Sequence, residues 1–131
     1  MGYYTNYSMK VLDIDNKGYN SYEIAKFMFN EKENFDKFYA FENELSEFIK
    51  DINVKEGINY KLSLDSVGEY KWYSHEEEML SLSKKFPNVL FKLHGEGEEN
   101  TDCWNKYFIN GKMQYCPAEI VYEPFDKNKL Y

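Results

Sequence analysis

The stretches EYKWYSHEEEMLSLSKKFPNVLFKLHGEGEE (residues 69–99) and NTDCWNKYFINGKMQYCPAEIVYE (residues 100–123) decide the fold. Their pattern predicts a strand at 70–73, a helix at 74–86, a strand at 89–94, an acidic loop and then a hairpin. Two strands joined by one helix indicate a βαβ unit, whose connection is right-handed if both strands share a sheet.

The helix at 74–86 has signals at both of its ends. Ser74 followed by Glu77 fits a capping box, in which each side chain accepts from the backbone N–H of the other residue. Acidic residues fill the first turn and lysines fill the last turn, as the helix dipole favours. Pro87 prevents the helix from continuing, because it restricts the residue before it and has no N–H to donate. His75, in the first turn, is expected at the surface.

A hairpin is predicted at Asn110-Gly111, because both residues tolerate the positive φ angles of a type I′ turn. A two-residue turn pairs Ile109 with Lys112 and places four large apolar side chains on one face of the hairpin. These side chains are Trp104, Phe108, Met113 and Tyr115. We expect this face to pack on the core.

Residues 20–52 have helical spacing. Apolar side chains at 24, 27 and 28 mark a first helical face, and apolar side chains recur every three or four positions after it, at 35, 38, 41, 45, 48 and 52. The segment is either one bent helix or two helices separated near 31–34. A strand is predicted before it at 8–14, preceded by a tyrosine cluster (Tyr3, Tyr4 and Tyr7), and another after it at 59–64.

The whole chain of 131 residues is expected to form a single domain, 1–131. The predicted elements indicate an α+β fold, with an antiparallel-rich sheet and helices packed on one face. The net charge is −7 and every basic residue is a lysine, which argues against direct nucleic-acid binding. No apolar run is long enough for a membrane span. The lack of a secretory signal and the count of two cysteines predict reduced thiols and a cytoplasmic location.

Two acidic surfaces are the candidate binding sites. The first is the polar face of the helical segment, with Glu42, Glu44, Glu47 and Asp51. The second is the loop after the 89–94 strand, with Glu96, Glu98, Glu99 and Asp102. The acids in that loop do not follow the EF-hand spacing, and no lysine follows its glycines as in a P-loop. We therefore expect no metal, no cofactor and no catalytic residue.

Four segments carry a resemblance to a known family. They are KWYSHEEEML (71–80), FPNVLFKLHGEGEE (86–99), the W-x-KYF-x-NGK-x-Q pattern from Trp104 to Gln114, and AEIVYEPFD (118–126). They resemble small bacteriophage- and prophage-encoded proteins of the Api92/YubB-like type. The resemblance covers residues 71–130 and implies a ferredoxin-like fold in a mobile-element context. It implies no catalytic residues.

The leading hypothesis is a non-enzymatic phage-type protein that binds a basic surface on a host protein through its acidic surfaces. An anti-CRISPR inhibitor of a CRISPR effector, or of another defence nuclease, is one form of that hypothesis. Two alternatives stay open. One is a small-ligand-binding protein or an enzyme that uses His94 and Glu96, and the other is a structural dimer. The sequence leaves the oligomeric state undecided.

Overall fold

A computed structural model of the protein describes residues 3–13, 18–51, 61–99 and 101–131. The strands are β1 (Thr5–Leu12), β2 (Ser63–Asp65), β3 (Leu90–Gly97), β4 (Cys103–Ile109) and β5 (Lys112–Pro117). The α-helices are α1 (Ser21–Phe35), α2 (Glu42–Asp51) and α3 (His75–Lys85). Short 3₁₀ turns lie at Tyr39–Phe41 and Lys127–Lys129.

The five strands form one sheet in the order β2-β1-β3-β4-β5. Every pair of neighbouring strands is antiparallel. Because β2 and β3 are both antiparallel to β1, they run parallel to each other on its two sides. The α+β class and the antiparallel sheet are therefore confirmed. The βαβ prediction is corrected to a split unit, in which β1 lies between the two parallel strands.

The core lies between one face of the sheet and the three helices. Its buried apolar side chains from the sheet include Met9, Leu64, Phe91, Leu93 and Phe108, and those from the helices include Ile24, Met28, Leu45, Met79 and Leu82. The opposite face of the sheet carries no helix among the described residues, and its side chains are mostly half-exposed. This open face is mostly polar.

The strand predicted at 70–73 is wrong. Tyr70 makes only a single bridge to Thr5, and Trp72 leaves the extended path to fill the core, where it is 1% exposed. Its indole packs edge-on against Tyr7, Phe38 and Phe41. The strand predicted at 59–64 corresponds to β2, which begins at Ser63; positions 59 and 60 lie outside the described residues.

The helical segment consists of two helices, and the break is at 36–38 rather than at 31–34. The Asn20 side chain caps α1 by accepting from the N–H of Glu23 at 3.1 Å. Asp36 and Phe38 both adopt left-handed backbone angles, with φ of 55° and 57°. Such angles are unfavourable for a bulky residue. A contact from α3 holds this break in place: the Glu78 carboxylate accepts from the N–H of Phe38 at 2.6 Å.

The capping box is also wrong, although α3 begins where it was predicted. The Ser74 hydroxyl donates to the Glu78 carboxylate instead of capping the helix, and Glu77 is exposed. Glu78 is only 7% exposed, so one buried carboxylate joins the start of α3 to the break between α1 and α2. The sequence pattern located this helix correctly but misassigned the acid that organises its first turn.

The hairpin is confirmed in its turn and in its register. Asn110 and Gly111 have φ of 46° and 74°, and Ile109 pairs with Lys112. Trp104 and Phe108 are buried on the helical side of the sheet, and Met113 and Tyr115 share that side but are exposed at its edge. Cys103 and Cys116 are free thiols. None of the helices within the described residues is long and apolar enough to cross a membrane.

Candidate functional site

The acidic face of α2 is partly used for internal contacts. The Lys32 ammonium donates to the Glu42 carboxylate at 2.7 Å, and Glu44 accepts from the backbone N–H of Val67 at 3.1 Å. Glu47 and Asp51 are exposed. This helix packs on α1 and β2.

The second acidic segment differs from its prediction, because β3 continues to Gly97. Glu96 is therefore a strand residue, and the loop that connects β3 to β4 holds the other three acids. Glu98 accepts from the backbone N–H of Tyr4 at 2.9 Å. The Tyr3 hydroxyl accepts from the N–H of Glu99 at 3.1 Å. A hydrogen bond to Asp102 raises the pKa of Tyr3 above its ordinary value of 10.0.

These contacts join two features that are far apart in the sequence. Tyr3, Tyr4, Glu98, Glu99 and Asp102 form one surface, called here the acidic–aromatic surface. The tyrosine cluster that was expected to precede the first strand is therefore divided: Tyr7 lies within β1 and is buried, whereas Tyr3 and Tyr4 contact the acidic loop.

A pocket of about 190 Å³ lies beside this surface, on the helical side of the sheet. Its lining is largely aromatic and comprises Tyr3, Thr5, Tyr7, Trp72, Tyr73, His75, Asp102 and Trp104. Burial raises the pKa of Tyr7 to about 12, so its hydroxyl stays protonated and donates to the Trp72 carbonyl at 3.3 Å. The indole N–H of Trp72 is buried without a hydrogen-bond partner among the described residues.

Two glycines of β3 make room for this pocket. A Cβ atom at Gly95 would overlap the Trp104 indole, which lies across the strand at that position. A Cβ atom at Gly97 would overlap the Asp102 carboxylate and the Tyr3 hydroxyl. The two glycines were interpreted as loop residues. Their alternate spacing on one strand is instead a signal of close approach by neighbouring groups.

One of the residues that line the pocket, His75, contacts a buried lysine of β4. The His75 ring stacks on Trp104 with centroids 5.2 Å apart, and its Nδ1 lies 2.7 Å from the Trp72 carbonyl oxygen. If Nδ1–H donates to that carbonyl, Nε2 is left to accept from the Lys106 ammonium, which lies 2.7 Å away. Lys106 also pairs with Glu76 at 3.2 Å and lies 4.3 Å from the centre of the Trp104 ring.

Sequence reasoning missed both of these residues. His75 is half-buried rather than a surface residue, and Lys106 is almost fully buried. The alternation along β4 places Lys106 between Trp104 and Phe108 on the inner face. That alternation was the available signal for its burial.

The buried position of His75 predicts a dependence of stability on pH. Burial lowers the pKa of His75 below the ordinary 6.5, and the nearby Lys106 charge adds to that effect. As the pH falls below 6.5, the unfolded chain binds this proton before the folded protein does. The neutral His75 side chain therefore contributes fully to the free energy of unfolding above pH 6.5. This contribution is lost as the pH falls toward the pKa of His75 in the folded protein.

Urea denaturation between about pH 5 and pH 8 tests this expectation. The free energy of unfolding of the wild type should rise with pH up to about 6.5 and then level off, and His75→Gln should flatten this rise. His94→Gln is the matched control and should leave the rise in place. An equal pH dependence in the wild type and in His75→Gln would contradict the assignment.

The His94 and Glu96 pair lies on the open face of the sheet, which is the side away from the aromatic pocket. His94 Nε2 is 3.2 Å from the Glu96 carboxylate, and Nδ1 is 2.8 Å from the Asn105 side-chain oxygen. A shallow depression of about 240 Å³ beside it is lined by Ser8, Lys10, Lys92 and His94. Within the described ranges, no group of three His, Cys, Asp or Glu side chains could hold a metal ion.

Comparison of the chain with protein-family models, with curated proteins and with solved structures found no match.

Proposed function

We propose that this protein acts by binding another protein, and that its acidic–aromatic surface receives a basic side chain of that partner. The observation that carries the proposal is the joining of the 98–102 loop to Tyr3 and Tyr4 beside an aromatic pocket. Carboxylates attract a lysine or arginine of the partner during the encounter. Aromatic ring faces then bind the cation through cation–π contacts.

The chain's own lysines support this chemistry. The Lys71 ammonium lies 4.7 Å from the centre of the Tyr4 ring, and the Lys106 ammonium lies over Trp104. Aromatic rings of this surface and its pocket therefore already contact ammonium groups. A partner lysine would bind through the same kind of contact, with Asp102 at the edge of the pocket.

The partner that we propose is a host protein with a basic surface. A nuclease of a bacterial defence system is one such protein, because nucleic-acid-binding grooves are positively charged. The proposal of a phage-encoded inhibitor of the anti-CRISPR type rests on the net charge of −7 and on the sequence resemblance. The split arrangement of β2, α3 and β3 around β1 is what supports the proposed ferredoxin-like relationship.

The experiment compares capture of host proteins by the wild type and by two charge variants. The double variant Glu98→Gln, Glu99→Gln removes two charges from the surface, while an amide oxygen at position 98 can still accept from Tyr4. The matched control, Glu47→Gln with Asp51→Asn, removes two charges from the exposed face of α2 instead. Captured proteins are identified by mass spectrometry from a bacterial lysate, and the recovered partner is then used for binding kinetics at two salt concentrations.

We expect the loop variant to lower the association rate by about 3- to 10-fold and to weaken its salt dependence. The α2 variant should bind as the wild type does. If the α2 variant alone loses binding, the acidic docking site is on the helix and this assignment is wrong. Unchanged kinetics in both variants would rule out acidic docking altogether.

A small-ligand site on the open face is the second candidate. It is favoured by the position of His94 beside Lys10 and Lys92, since three basic side chains converge there in an otherwise acidic protein. The charges of the two lysines suit an anionic ligand. Titration with inorganic phosphate, followed by NMR, should shift the signals of Lys10, Lys92 and His94 in the wild type, and the Lys10 and Lys92 signals should stay unshifted in His94→Gln. Absence of shifts in the wild type would eliminate this candidate.

A further inference from the structure

The outer edge of β5 is open in the described structure. Lys112, Gln114 and Cys116 face Ile109, Tyr107 and Asn105 of β4, and the N–H of Ala118 donates to Cys103 at 2.8 Å. In an antiparallel ladder, hydrogen-bonding residues alternate along the strand. The backbone N–H and C=O groups of Met113 and Tyr115 therefore point away from β4.

The residues that follow β5 carry several exposed apolar side chains. Positions 118–131 are exposed throughout. Four large apolar side chains stand out among them: Ile120 is 60% exposed, Val121 84%, Tyr122 84% and Phe125 79%. Met113 and Tyr115, on the helical side of β5, and Leu130 and Tyr131 are exposed as well.

The exposed area of these side chains is comparable to that of a protein interface. Together the eight side chains at 113, 115, 120, 121, 122, 125, 130 and 131 expose on the order of 1,000 Å². Each partner in a stable complex buries roughly 800 Å². These side chains therefore offer enough area for a stable dimer.

We propose that the partner is a second copy of this chain, and that the two copies pair antiparallel through β5. Met113 of each copy faces Tyr115 of the other, around a twofold axis at Gln114. The two sheets then form one continuous sheet of ten strands. Residues 118–125 of each copy extend across the hairpin end of the other copy.

The unpaired backbone groups of β5 fit pairing with a second copy of the same strand. Met113 and Tyr115 are two residues apart, so a twofold axis between them lets each copy satisfy the N–H and C=O groups of the other. The ladder cannot extend in either direction: Pro117 has no N–H, and the N–H of Gly111 already donates to the Ser83 hydroxyl at 2.9 Å. The free groups are thus a closed set of four hydrogen bonds.

Charge complementarity supports the same register. Pairing Met113 with Tyr115 places Pro117 opposite Gly111 of the second copy, so Glu119 lies just past the Asn110-Gly111 turn of that copy. Lys112 follows that turn, and the Lys84 side chain lies over Gly111. An acidic residue of one copy therefore meets basic residues of the other, even though the chain as a whole is acidic.

The test begins with sedimentation or light scattering of the wild type over a range of concentrations. We expect twice the chain mass of 15.8 kDa. The double variant Val121→Asp, Tyr122→Asp should shift the protein to monomer. The matched control Phe35→Asp, Val67→Asp makes the same charge change at two exposed apolar positions away from the interface, and it should remain dimeric.

Amide hydrogen exchange tests the pairing of β5 directly. The amides of Met113 and Tyr115 should exchange at least about 10-fold more slowly in the wild-type dimer than in the monomeric variant, because only the dimer gives them acceptors. A wild type that is monomeric at all concentrations would overturn the proposal. So would a dimer that survives Val121→Asp, Tyr122→Asp, or fast exchange of both amides in the dimer. The proposal uses none of the residues of the acidic–aromatic surface, so either one can fail without the other.

Discussion

Gly95→Ala is expected to lower the free energy of unfolding by about 3 kcal/mol, the upper end of the usual cost of overpacking. The added methyl group would occupy the position of the Trp104 indole. Trp104 cannot move away easily, because His75 is stacked on it and Tyr7 packs against it edge-on. The strand or the indole must therefore shift, and the aromatic pocket changes with them.

Gly97→Ala is the matched comparison, with the same change two residues along the same strand. Its methyl group would meet the Asp102 carboxylate and the Tyr3 hydroxyl, which lie near the surface and are able to move. We expect a loss of about 1 kcal/mol or less, together with a broken contact between Tyr3 and Asp102. Urea denaturation measures both losses. Equal stability of Gly95→Ala and the wild type would show that Trp104 does not lie across β3 as described.

Glu78→Ala should also destabilise the protein by about 3 kcal/mol, because it removes two hydrogen bonds to a buried charged group. One of those bonds holds the N–H of Phe38, whose left-handed backbone is unfavourable without support. The Ser74 hydroxyl loses its acceptor as well. The break between α1 and α2 would then be free to rearrange.

Glu77→Ala is the control, since Glu77 is the exposed neighbour of Glu78 on the same turn of α3. It should change the free energy of unfolding by no more than about 0.5 kcal/mol. Glu78→Gln keeps an acceptor for the N–H of Phe38. Its free energy of unfolding should therefore fall between those of Glu78→Ala and Glu77→Ala. Identical urea midpoints for the Ala variants at 77 and 78 would show that the buried carboxylate does not stabilise the helix break.

The elements that the sequence predicted well are those whose signals are local. Asn110-Gly111 specifies its turn through the φ angles of two adjacent residues, and Pro87 and the charge pattern limit α3. The break at 36–38 was misplaced because it contains neither glycine nor proline. Its stabilising partner, Glu78, lies 40 positions further along the chain. No local pattern contains that information.

The candidate site was predicted only in part, for the same reason. The acidic loop was recognised from its composition, but its contacts with Tyr3 and Tyr4 depend on the pairing of β1 with β3. In the sequence alone, Gly95 and Gly97 look like loop residues. Gly95 is explained only by the structure, in which the Trp104 indole lies against it. The properties of His75 and Lys106 depend on their burial and on their contact with each other. A single sequence does not show which polar residues are buried.

The central position of β1 has a consequence for how the chain reaches its structure. This strand precedes the other described strands in the sequence, yet Thr5 pairs with Gly97 and Leu12 pairs with Leu90. Closing such long loops costs chain entropy before any pairing is gained, so the sheet should form slowly for a domain of this size. The β3–β4–β5 meander has short connections and can form earlier. Until β3 has left the ribosome, β1 can pair only with the three-residue β2, so most of β1 stays exposed in the nascent chain and is open to aggregation.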